Sequence, residues 1–165
     1  MSGVEIELRD VDFVTIGTIG PKGKRIFYLQ AGHDNRVISL VIEKEQSWAL
    51  SEAIKELIDD LDTRYEDEDA PEVNLRDIDM DLREPIKPVF RVSQMGLGYD
   101  EDQNKIVLVA QELVSTGEEE EEEPGVVRLW CSREQMQALS MQALQTVESG
   151  RADPKQNGRL IYYWT

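Results

Sequence analysis

The stretch Arg36 to Asp60, RVISLVIEKEQSWALSEAIKELIDD, constrains this chain more than any other. Its first eight residues carry Val37, Ile38, Leu40, Val41 and Ile42, apolar and mostly β-branched, which suits a buried strand. From Lys44 to Leu61 the apolar residues Trp48, Leu50, Ala53, Ile54, Leu57, Ile58 and Leu61 recur at helical spacing. A strand that runs into an amphipathic helix without a loop must lay that helix against its own sheet. The chain makes nearly the same stretch again at Val126 to Ser149, VVRLWCSREQMQALSMQALQTVES. At an offset of 89 residues, Leu40, Glu45, Gln46, Ala49, Leu50 and Ser51 meet Leu129, Glu134, Gln135, Ala138, Leu139 and Ser140.

Around these two units the pattern predicts the rest of two halves. Val4 to Arg9 alternates with period two, and Asp12 to Gly20 is a β-branched run. Pro21 to Lys24 makes a turn, Arg25 to Ala31 is the returning strand, and His33-Asp34-Asn35 turns into the strand that feeds the helix. In the second half DIDMDLR, Asp77 to Arg83, alternates again and predicts an opening strand. The expected fold is α+β, with duplicated ββββα units. Two antiparallel sheets are each packed by one long helix and related by a pseudo-two-fold axis. That layout is similar to the PUR-repeat and Whirly folds, which bind single-stranded nucleic acid, an analogy of fold alone. The chain reads as a single domain over 1–165. Its internal repeats are 4–62 and 77–149, with an acidic linker at 63–76 and an apolar, aromatic tail at 150–165. Glu118 to Glu123 reads as a solvated hairpin loop.

Net charge is −16. Such a field repels polyanions and anionic membranes and favours basic or protein partners. No apolar run approaches the roughly 20 residues that span a bilayer, and no signal peptide is read, so the expected location is the cytoplasm. Cys131 is the single cysteine and His33 the single histidine. One of each builds neither the usual zinc sites nor a Cys-His pair with a spare base, so no metal and no cofactor are expected. The acids sit in linkers and on exposed faces, where their pKa values need no tuning, which argues against an enzyme. The DIDMD pattern lacks the glycine and glutamate of a calcium loop.

Two candidate binding features remain. Gln30 and Gln111 are amides in otherwise apolar strands, at corresponding positions, and could line a groove. Lys22, Lys24, Arg25 and Arg36 lie near Phe27 and Tyr28 around the first hairpin, cations beside aromatics that could track a nucleic-acid strand.

The segments GTIGPKGKRIFYLQA, VIEKEQSWALSEAI, FRVSQMGLGYDEDQNKIVLVAQE and VRLWCSREQMQAL resemble, in that order, the uncharacterised bacterial family called domain of unknown function 3090. The resemblance implies a bacterial protein encoded near a phosphatidylinositol-kinase-like and a histidine-phosphatase-like protein. It also implies a C-terminal cysteine-rich knuckle, and this chain has Gly150 to Pro154 there without a cysteine, so no zinc role carries over. Three functions follow in order: a non-enzymatic interaction or scaffold module, homodimeric through its helices or tail; a single-stranded nucleic-acid-binding module; and a small enzyme or phosphate-metabolite binder acting with those neighbours.

Overall fold

Among the described residues, backbone pairing places seven strands in one sheet. The computed structural model describes residues 3–65, 73–114 and 123–149. The strands are β1 (Glu5–Leu8), β2 (Phe13–Ile19), β3 (Ile26–His33), β4 (Arg36–Ile42), β5 (Pro88–Asp100), β6 (Lys105–Glu112) and β7 (Val126–Cys131), with helices α1 (Lys44–Arg64) and α2 (Arg133–Ser149). The order across the sheet is β1-β7-β6-β5-β4-β3-β2. The β1–β7 and β4–β5 pairs are parallel and the other four antiparallel. The expectation of two antiparallel sheets in duplicated four-strand units is therefore corrected to one mixed sheet.

Topology then dictates curvature. β1 and β2 are consecutive in the chain yet stand at opposite ends of the strand order. In a flat sheet six spacings of about 4.8 Å would hold them about 29 Å apart. The Cα path from Leu8 to Phe13 reaches at most about 19 Å. The sheet must curl until its ends are joined, and the short link bonds to both: Val11 N–H donates to the Trp130 carbonyl (3.2 Å) and Asp12 N–H to the Gly32 carbonyl (2.7 Å).

One face of the curled sheet carries Ile16, Leu29, Leu40, Ile106, Leu108 and Val127, all 1% exposed or less. The helices cross over this core with small residues at the contact. Ser51 Oγ donates to the Ser140 carbonyl and Ser140 Oγ to the Ser51 carbonyl, both at 2.9 Å. Ser47 Oγ reaches the Ala143 carbonyl (3.1 Å). The exchange satisfies hydroxyls that burial would otherwise leave costly.

The predicted strand at Asp77–Arg83 does not form. Leu75–Asp77 is a 3₁₀ turn, and residues 78–87 have no ladder partners, bending at 78, 84 and 85, until β5 begins at Pro88. Pro85 and Pro88 have no N–H to give a ladder. The segment is a strap across β2 and β3, bonded by side chains instead. Thr15 Oγ1 donates to the Met80 carbonyl (2.7 Å). Gln30 binds Arg83 on both sides, accepting from its N–H (2.7 Å) and donating to its carbonyl (2.9 Å). The alternation in DIDMDLR is real, since Met80 and Leu82 are half-buried between exposed acids, but it belongs to a strap rather than to a ladder. Gly17 is needed beneath it: a Cβ there would stand 2.7 Å from Leu82 Cγ. Of the acidic linker expected at 63–76, residues 63 and 64 belong to α1 and 75 and 76 to the 3₁₀ turn, while 66–72, most of the glutamate run and the tail at 150–165 lie outside the described residues.

Candidate functional site

The turn between β2 and β3 exposes Lys22 and Lys24, with Gly23 at φ 87° and Lys24 N–H bonded to the Pro21 carbonyl (2.9 Å). Arg36 sits at the opposite end of β3, opposite His33. A strand of eight residues separates the two ends by about 23 Å, so the four cations do not form one cluster. Phe27 and Tyr28 are adjacent in a strand and face opposite sides. Phe27 is 7% exposed; Tyr28 lines a cavity under Pro85 and Ile86 of the strap. They offer no common stacking platform. Arg25 is drawn elsewhere: its Nη1 donates to the Ser149 carbonyl at the end of α2 (3.0 Å). Arg25 and Phe27 line a cavity of about 390 Å³ together with Glu43, Glu45 and Arg91, and Arg91 is ion-paired with Glu43. Its charges nearly balance.

The glutamines separate in the same way. Gln30 is fully buried as the strap clamp, with Nε2 also donating to Ser39 Oγ (3.1 Å). Gln111 is half-buried, and its Oε1 accepts from Gln94 Nε2 (2.6 Å). They do not line a common groove.

Sequence reasoning missed one gathering of ligand-type groups. Asp12, from the link before β2, reaches the β3–β4 turn, where its Oδ2 accepts from Asp34 N–H (2.7 Å). Asp12, His33 and Asp34 each offer an atom within 4.8 Å of the others and could hold a divalent cation. The ring, however, sits between the carboxylates: Nδ1 is 3.6 Å from Asp12 and Nε2 3.4 Å from Asp34. Nδ1 is buried without a hydrogen-bond partner among the described residues, so the three groups stand close together but are not bonded to one another through the ring.

Shifted protonation follows structure too. The Lys105 ammonium, hydrogen-bonded to Asp10 at 2.7 Å, lowers that carboxyl's pKa. Burial, with Glu101 nearby, raises Tyr65. Burial pushes the Cys131 thiol up to about 12. None of these three lines the cavities described here.

The second missed feature lies between α1 and β5. β5 pairs with β4 only as far as Arg91. From Val92 to Asp100 it pairs with β6 alone, because β4 has already turned into α1. Its outer edge from Ser93 onward therefore has no strand partner among the described residues. Every second residue of such an edge points N–H and C=O outward. Gln46, the third residue of α1, caps the start of this edge. Its Oε1 accepts from Glu43 N–H (2.6 Å), closing a capping box, and its Nε2 donates to the Val92 and Ser93 carbonyls (both 3.1 Å). Beyond Gln46 the helix offers Ala49, Ala53 and Leu57 to Met95, Gly96 and Leu97, enclosing about 530 Å³ with a largely apolar lining. Exposed Glu56 and Asp60 form its rim. The sequence signal was available: small residues at i and i+4 on the helix, and a glycine in the facing strand.

No helix among the described residues is long and apolar enough to cross a membrane. No curated protein and no solved structure matches the chain. A family model described as "protein of unknown function (DUF3090)" matches residues 6–157, and the chain belongs to that family.

Proposed function

We propose that this protein is a non-enzymatic interaction module whose recognition surface is the α1–β5 groove, where an extended segment of a protein partner adds to the outer edge of β5. The observation that carries this reading is an unpaired strand edge lying beside an apolar trough. Backbone bonds to the edge give affinity, and pockets for alternate side chains give selectivity. Ala49 and Ala53 keep the helix surface low, so room is left for a partner's side chains. The titrating groups that are shifted serve internal contacts, which supports a binding rather than a catalytic role.

The test is a capture from native lysate with wild type and Ala53→Arg, identifying proteins and nucleic acids together. Ala53 is exposed in a helix and arginine is a good helix former, so stability should move by less than about 0.5 kcal/mol. A protein retained by wild type and lost by Ala53→Arg is the expected result. An identical catch from both chains, or a catch of nucleic acid alone, defeats the reading.

A further inference from the structure

The ends of the curled sheet meet at the link before β2, and ligand-type side chains gather there. The link gives Val11 N–H to the Trp130 carbonyl and Asp12 N–H to the Gly32 carbonyl, so it ties β7 to β3. Asp12 also reaches the turn between β3 and β4, 22 residues on, where its Oδ2 accepts from Asp34 N–H. That bond leaves Asp12 Oδ1 for another partner. The group it faces is the His33 ring, with Nδ1 3.6 Å away.

Two observations point to a cation at this place. The first is spacing. A hydrogen bond draws its heavy atoms to about 2.7–3.2 Å, whereas two ligands of one ion stand further apart. At metal–ligand distances of about 2.0–2.2 Å and angles of about 110–120°, the separation is about 3.3–3.8 Å. Nδ1 to Asp12 (3.6 Å) and Nε2 to Asp34 (3.4 Å) both fall there. Asp12, His33 and Asp34 bring one ligand atom each to within 4.8 Å of one another. The second observation is the ring nitrogen itself. Nδ1 is buried and has no hydrogen-bond partner among the described residues, although the side chain as a whole is 42% exposed. A buried polar atom without a partner is costly, and a cation shared with Asp12 would satisfy it.

We propose that Asp12, His33 and Asp34 form a site for a first-row transition dication of the zinc class, which clamps the link onto the β3–β4 turn. His33 Nδ1 and Asp12 Oδ1 are the paired ligands, the exposed Asp34 carboxylate is the third, and water completes the shell. The imidazole sets the class of ion: zinc, copper, iron and nickel take imidazole, whereas magnesium and calcium take oxygen alone. Arg36 is the register partner of His33 and opposes a cation, which with only three protein ligands makes this a micromolar site. Because link and turn meet only in the folded chain, binding holds the two ends of the sheet together. Counting histidines and cysteines along the sequence passes over such a set, since folding assembles it. None of the three residues lines the α1–β5 groove, so the proposal stands or falls apart from the recognition reading.

The experiment titrates zinc into the full chain. His33 is the single histidine, so every imidazole signal reports this site. Zinc should shift the ring nitrogens, Nδ1 more than Nε2, and saturate as one site, while magnesium at the same concentration shifts neither. Asp12→Asn keeps an oxygen for the Asp34 N–H and removes the other. It should weaken zinc binding by about tenfold or more, since loss of even an outer-shell partner costs that much. At zinc about ten times Kd, exchange of the Val11 and Asp12 amides should slow about tenfold and Tm should rise. Both effects should vanish in His33→Gln. The wild-type ring titration needs no variant, so it decides the matter even where a variant misfolds. Zinc that leaves the ring unshifted overturns the proposal. So does equal affinity for Asp12→Asn, which would mean an adventitious surface ion only. Ring shifts without slowed exchange overturn the clamp.

Discussion

At the residue scale, Gln30 shows how much one buried amide can hold. It binds the Arg83 peptide from both sides, as a neighbouring strand would, and so fastens an irregular segment to the sheet face. Arg83 adds its guanidinium, 3.6 Å above the Phe13 ring. Gln30→Leu keeps the volume but leaves the Arg83 N–H and carbonyl without their partner. Urea denaturation should show a loss of about 3 kcal/mol, since each buried unsatisfied group costs about 1–3 kcal/mol. Gln111→Leu is the control: it removes one bond to Gln94 at a half-buried site and should cost under about 1 kcal/mol. Cys131 makes the opposite case, a polarisable atom sealed in apolar surroundings. Its thiol is raised from 9.0 to about 12, so folding favours the neutral form. That contribution is fully present below pH 9 and is lost as pH rises through the folded value. A thiol reagent at pH 8 should label the native chain no faster than the chain unfolds.

At the scale of elements, the informative contact is the crossing of α1 and α2. Serines let the backbones approach, and each hydroxyl donates to the other helix's carbonyl. These bonds form only if both helices are seated on the core, so they report docking rather than helix formation. A double-mutant cycle on Ser51→Ala and Ser140→Ala should give a coupling of about 0.5–1.5 kcal/mol, because the two hydroxyls are also 3.3 Å apart and share partners. Additive losses would mean that each hydroxyl serves its carbonyl alone. The helix N-termini are equally specific. In SREQ, Ser132 and Gln135 form a full capping box, with Ser132 Oγ accepting from Gln135 N–H (3.1 Å) and Gln135 Oε1 from Ser132 N–H. The spare donor of each glutamine then ties its helix to a strand, Gln135 to Val11 and Gln46 to β5.

At the scale of the molecule, charge decides which partners approach. The chain carries 34 acids against 18 bases. Several bases are already engaged: Arg128 with Glu5 and Glu7, Lys105 with Asp10, and Arg133 with Asp62. Around the first hairpin the acids that matter are Glu43 and Glu45, which share a cavity with Arg25, rather than Glu5 and Glu7, which face Arg128. Screening acts over about 8 Å at ordinary ionic strength, so the nearly balanced charges of that cavity offer a polyanion little attraction to set against the net charge of −16. Fluorescence anisotropy with single-stranded DNA or RNA should therefore show no binding at physiological salt. Micromolar binding that weakens with salt and disappears in Lys22→Glu, Lys24→Glu would reverse that expectation.

Local physics wrote the elements into the sequence. Two strand–helix units, the hairpin at Pro21 to Lys24, the turn at Asp34 and the apolar helix stripes all follow from periodicities and turn residues within a few positions of one another. Partner choice is not local. A strand of period two pairs equally well, as far as its pattern shows, with either of several neighbours. Only the folded chain decided that β1 joins β7, that β5 leaves β4 after Arg91, and that DIDMDLR lies on the sheet instead of in it. The same holds for the candidate site. Small residues at Ala49 and Ala53 were legible, but the groove they floor exists because β4 turns into its helix just where β5 continues, and that divergence is set by contacts between residues some fifty positions apart.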